Sequence, residues 1–119
     1  MKLNHLNLTV SDVQGARDFL AHYFDLRPLP GAPSTNAMAF LSDDNGMVIS
    51  LMTLGQDGEV SYPGMFHIGF IQDSREQVDA LNERLSAAGF SVKPAREYHG
   101  SYTFYLKAPG GFTVEVLST

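Results

Sequence analysis

LNHLNLTVSDVQGARDFLAHYF, residues 3–24, decides the fold, because the chain writes it a second time as MFHIGFIQDSREQVDALNERLSAAG, residues 65–89. In each copy a short alternating run leads into an amphipathic stretch. Leu6, Leu8 and Val10 alternate with His5, Asn7 and Thr9, the period of two that marks a strand with one apolar face. Ala16, Phe19, Leu20, Tyr23 and Phe24 then recur at helical spacing, as do Val78, Leu81, Leu85 and Ala88 in the second copy. Ser11 or Asp12 is placed to cap the first helix, with Gln14 completing a capping box on Ser11. Ser74 and Gln77 form a second box, and Gly89 fits the end of the second helix.

The repeat continues to the end of the chain. His67 follows His5 by 62 positions, an offset that also pairs Phe19 with Leu81 and Tyr23 with Leu85. Glu115 follows Ser50 by 65, which also pairs Phe40 with Tyr105 and Gly46 with Gly111. Residues 26–30 read as an edge segment because of their prolines. Residues 38–41 and 47–52 form a hairpin about Asp43-Asp44-Asn45-Gly46. Residues 90–93, 102–107 and 112–117 supply the remaining strands, with Pro109-Gly110-Gly111 turning between the last two. Each half is therefore a strand, a helix and three more strands, an α+β arrangement with helices on one face of a mostly antiparallel sheet. Module 1 spans about residues 1–54 and module 2 about 65–119 of a single domain, joined by a Gly-rich linker over about 55–64.

Composition narrows the function. At 119 residues and 44% hydrophobic, the chain suits one soluble globular domain. A net charge of −5, with few and scattered basic residues, argues against nucleic acid as a partner. No apolar run reaches membrane-span length, and the first residues lack the apolar core of a signal peptide, so a cytoplasmic home is expected. With no cysteine, any metal must be held by nitrogen and oxygen.

Strand parity assigns the chemistry. If Leu6, Leu8 and Val10, and likewise Phe66, Ile68 and Phe70, face the helices, then His5 and His67 face the other way. In the last strands Ile49, Leu51, Val114 and Val116 are the helix-facing set, which leaves Ser50 and Glu115 on the side of the histidines. Either histidine alone would read as a polar residue on a partly exposed sheet. Two at equivalent places in a repeat, with a carboxylate on the same side, make His5, His67 and Glu115 a candidate triad for a divalent metal. Two imidazoles and one carboxylate with open positions suit Fe2+ or Mn2+, and can serve Zn2+ or Ni2+. His22, Tyr98 and His99 read as surface or loop residues, and Met38 and Met52 as candidates to line an apolar pocket.

LNHLNLTVSD, FHIGFIQDS and YLKAPGGFTVEVL, in this order and spacing, resemble the vicinal oxygen chelate superfamily, which includes glyoxalase I, bleomycin resistance proteins, fosfomycin resistance proteins and extradiol dioxygenases. The resemblance covers essentially the whole chain. It implies tandem βαβββ modules forming a curved mixed sheet around a cleft, and metal positions at His5, Ser50, His67 and Glu115. Ser50 departs from the glyoxalase I pattern, which has a second Glu there. The remaining triad is similar to that of extradiol dioxygenases and fosfomycin-modifying enzymes. Tyr105 matches a cleft tyrosine of the fosfomycin transferases and becomes the candidate catalytic residue. Asn7 stands where those enzymes carry Thr, and the chain ends without their basic extension. Asn7, Phe40, Ser50, Met52 and Tyr105 are the expected substrate contacts. The resemblance further implies a homodimer in which a second subunit completes the cleft, a small-molecule substrate, and dioxygenase-like or lyase, isomerase or transferase chemistry. A metal-free binding protein of the bleomycin resistance type is the competing expectation.

Overall fold

The computed structural model describes residues 1–53 and 59–119. It divides into two compact units: Met1–Tyr62 with Pro109–Gly111, and Pro63–Ala108 with Phe112–Thr119. The expected linker lies partly outside the described residues, as 54–58 are not among them.

In the first unit β1 (His5–Thr9) leads into α1 (Val13–Phe24), and β2 (Arg27–Pro28), β3 (Met38–Ser42) and β4 (Val48–Met52) follow. The second repeats the plan with β5 (Ile68–Ile71), α2 (Arg75–Ala87), β6 (Arg96–Tyr98), β7 (Ser101–Lys107) and β8 (Thr113–Ser118). Each unit holds one four-stranded sheet, ordered β1-β4-β3-β2 in the first and β5-β8-β7-β6 in the second. The first strand of each unit runs parallel to the last, and the other pairings are antiparallel. Register confirms the repeat residue by residue. Asn7 pairs with Ser50, and Gly69 with Glu115; Phe40 pairs with Ser50, and Tyr105 with Glu115. The two offsets read from the sequence thus meet in one pair of ladders.

The helix-facing sets are the cores. Leu8, Val10, Leu41 and Leu51 are fully buried with Ala16 and Leu20 of α1, and Val114 and Val116 are buried in the unit that also buries Val78 and Leu85 of α2. Each of these branched side chains stabilises its unit by about 1.5–3 kcal/mol relative to remaining exposed. No described helix is long and apolar enough to cross a membrane.

Three local expectations need correction. Asp12, one of the two expected caps, caps α1, its carboxylate accepting from Gly15 N at 2.9 Å. Gln14 does not close a box there; its amide donates to Asn36 Oδ1 instead. In α2 the box is nearly as expected, since Ser74 accepts from Gln77 N at 3.2 Å and Gln77 Oε1 accepts from Asp73 N at 3.0 Å. Residues 90–93 are not a strand: Asn82 Nδ2 takes the Lys93 carbonyl at 2.8 Å, Pro94 offers no N–H, and pairing starts only at Arg96. Nor is β5 paired before Ile68, so His67 sits on the approach to the strand, where Phe66 N closes a turn on the Pro63 carbonyl at 2.9 Å.

Candidate active site

Glu115 lies in the middle of β8, flanked in register by Gly69 and Tyr105. Its side chain is 14% exposed and is approached from three directions. Thr103 Oγ1 lies 2.8 Å from Glu115 Oε2 and 2.9 Å from the Val116 carbonyl, so its one proton is shared between two acceptors. Tyr105 stands opposite Glu115 in the ladder, and burial first, with hydrogen bonding to the carboxylate second, holds its pKa above the ordinary 10.0. His67 Nε2 lies 3.3 Å from Glu115 Oε1. On the far side of the imidazole, Nδ1 is 3.0 Å from the Met65 carbonyl.

That second contact fixes the tautomer, because a carbonyl only accepts and Nδ1 must therefore carry the proton. Nε2 of a neutral ring then turns a lone pair towards a carboxylate. Two acceptors at 3.3 Å need a proton or a cation between them. A metal-binding imidazole is commonly held in this way, its other nitrogen donating to a carbonyl that orients the ring. The residues present thus fit a divalent metal as far as two donors. Among the described residues no three His, Cys, Asp or Glu side chains gather into a metal-holding group.

The remaining candidates belong to the first unit. His5 is exposed at the start of β1, with Nδ1 2.9 Å from Asn4 Oδ1. Asn7 and Phe40 flank Ser50 in the ladder, and Asn7 Nδ2 donates to Met52 Sδ at 3.2 Å. Ser50 is buried, its hydroxyl 3.5 Å from the Leu6 carbonyl. Asn7, Phe40, Ser50 and Met52 are therefore brought together on one sheet; Tyr105 and Glu115 share the other, with His67 just ahead of its first strand.

Sequence reasoning missed Thr103, which is 1% exposed and holds the carboxylate. Its signal was parity, since it stands two residues before Tyr105 and shares that face. Tyr98, expected in a loop with His99, ends β6, and its ring lies edge-on to Tyr105, with centroids 6.4 Å apart. Tyr105 in turn meets His67 edge to face at 5.4 Å. His99 has a left-handed backbone, φ 51°, and packs on Tyr98.

Paired βαβββ units, each with one four-stranded mixed sheet, are the architecture of the vicinal oxygen chelate class of proteins. The chain belongs to the glyoxalase/bleomycin resistance protein/dioxygenase superfamily, whose sequence profile matches residues 2–116. A solved structure described as a possible glyoxalase from Bacillus cereus is 49% identical, with a TM-score of 0.88 over 98% of both chains. A protein of Pseudomonas aeruginosa without an assigned function is 29% identical over 95% of this chain and 85% of its own length. The fosfomycin resistance protein FosX of Listeria monocytogenes, at 24% identity, shares the fold with a TM-score of 0.74 over 100% of this chain and 91% of its own.

Proposed function

We propose that the chain is a small metal-dependent enzyme, acting as a cytoplasmic homodimer on a small organic substrate. His67 and Glu115 hold a divalent ion, Fe2+ or Mn2+ before Zn2+ or Ni2+, and His5 of a second copy supplies the third donor. The observation that carries this reading is the His67 Nε2–Glu115 Oε1 approach, with Nδ1 already committed to the Met65 carbonyl. A bound ion would supply Lewis acidity to neighbouring oxygens of the substrate. Thr103 fixes the orientation of the carboxylate. The Tyr105 phenol keeps its proton at neutral pH, so it serves as a hydrogen-bond donor or general acid to a substrate oxygen rather than as a base. Asn7, Phe40, Ser50 and Met52 offer the substrate a neutral wall. Dioxygenase-like chemistry comes first among the reactions this triad supports, ahead of lyase, isomerase or transferase chemistry.

Mn2+ titration of wild type, His5→Ala and His67→Ala tests the reading. Wild type should bind one ion per chain, and each variant should bind at least about 100-fold more weakly. Refolding the two variants together should restore about a quarter of the tight sites, because about half of the dimers are mixed and each rebuilds one of its two sites, with all three donors intact. Absence of tight binding in wild type overturns the enzyme reading in favour of the metal-free binding protein. Absence of rescue on mixing overturns the shared site.

A further inference from the structure

A cavity of about 350 Å³ opens in the second unit beside the His67–Glu115 pair, and it shares Thr103 and Tyr105 with that site. Its remaining chemistry comes from Lys93, Arg96, Lys107 and Thr113, and no acidic residue lines it. The chain has only 8 Lys and Arg against 13 Asp and Glu. Three cations at one cavity therefore invert the charge of the molecule as a whole. Three arginines elsewhere are matched with acids: Arg17 with Asp18, Arg27 with Asp44, Arg75 with Glu97. Lys93, Arg96 and Lys107 make no ion pair among the described residues.

The cavity wall is also held in place. Asn82 Nδ2 anchors the Lys93 carbonyl at 2.8 Å. The Arg96 guanidinium carbon lies over the Tyr98 ring, 4.3 Å from its centre, a cation–π contact that helps to place the side chain. Tyr98 leans in turn on Tyr105. Gathering like charges without a counter-charge is unfavourable on its own and becomes favourable when an anion sits among them. A planar guanidinium and two ammonium-bearing side chains on the lining of one cavity suit the oxygens of a carboxylate or phosphate.

We infer that this cavity binds an anionic group of the substrate, a carboxylate or a phosphate, held by Lys93, Arg96 and Lys107 with its inner edge at Tyr105. The inference rests on the site proposed above and narrows its substrates to small organic anions. The cations lie on β6, β7 and the loop before β6, so the anion is bound next to the metal donors rather than by them.

Amide NMR shifts of the full chain, freed of metal and titrated with inorganic phosphate and separately with acetate at constant ionic strength, test it. Saturable shifts are expected in residues 91–96 and 103–107. Arg96→Gln should weaken the binding about tenfold, and Lys93→Gln or Lys107→Gln about threefold each, while Lys2→Gln leaves it unchanged. A preference for phosphate or for acetate supports the subsite and identifies which anion the substrate carries. Absence of saturable shifts, or binding indifferent to both Arg96→Gln and Lys107→Gln, overturns it. Parallel Mn2+ titration separates the two proposals: anion binding lost with Mn2+ binding intact overturns the subsite alone, and the converse overturns the metal reading alone.

Discussion

At Ser50 the first unit places a hydroxyl between Asn7 and Phe40; at the matching place the second puts the Glu115 carboxylate between Gly69 and Tyr105. The ladders around the two positions are the same. Their neighbours differ in kind. Met38, the counterpart of Thr103 at the offset of 65, is a thioether where the second unit has a hydroxyl. Phe40 lacks the proton that Tyr105 carries. The first unit thus surrounds its central residue with soft, neutral groups, and the second surrounds its own with two hydroxyls and an imidazole. Backbone duplication fixed where a functional side chain can stand, and three or four residues on one sheet face decided which copy became charged.

Installing the missing acid should have the largest effect. Ser50→Glu puts a carboxylate at a 4% exposed position between Phe40 and Asn7, whose amide already donates to Met52 Sδ and carries no charge. It should destabilise the chain by about 2–4 kcal/mol at neutral pH in urea unfolding. Burial favours the neutral acid, so the penalty should shrink as pH falls and the carboxyl protonates. A cost as small as that of Ser50→Ala would mean that the first unit accepts charge as readily as the second, and the comparison would fail.

This asymmetry was half visible in the sequence. The alternation around His5 and His67 and the two constant offsets revealed the repeat, the parity of each strand and the Ser50–Glu115 mismatch, because period-two burial is imposed by the backbone. What supports Glu115 was harder to read. Thr103 looks like any strand threonine until β7 and β8 are in register, since its value depends on a partner twelve positions away. The role of Met65 was hidden for a related reason: only a backbone carbonyl is used, and no side-chain pattern announces it. The misread strand over residues 90–93 had the same origin, because β-branched and aromatic residues suggested pairing that Asn82 and Pro94 pre-empt.

Support for the carboxylate gives the next effect. Thr103→Val keeps shape but removes the hydroxyl shared by Glu115 and the Val116 carbonyl. Thermal or urea unfolding should register a loss of about 1–2 kcal/mol. Mn2+ affinity should fall about tenfold, as it does when a ligand loses the group that orients it. The matching change in the other unit, Met38→Leu, should cost under about 1 kcal/mol and leave Mn2+ binding alone. Equal effects from the two substitutions would show that Thr103 is only a packing residue.

The smallest effect lies in the proton that distinguishes Tyr105 from Phe40. Burial first and the Glu115 carboxylate second raise the Tyr105 pKa above 10.0. A folded value above the unfolded one means that the phenol contributes stability in full below about pH 10 and loses it as pH climbs through the raised value. Subtracting the phenolate absorbance titration of Tyr105→Phe from that of wild type should therefore leave one component above pH 10. Glu115→Gln should bring that component part of the way down and no further, because burial is the larger cause. Phe40→Tyr completes the comparison by giving the first unit a phenol beside a serine instead of a carboxylate. It should titrate below Tyr105, and a value equal to or above it would mean that the charge at Glu115 does not distinguish the two faces.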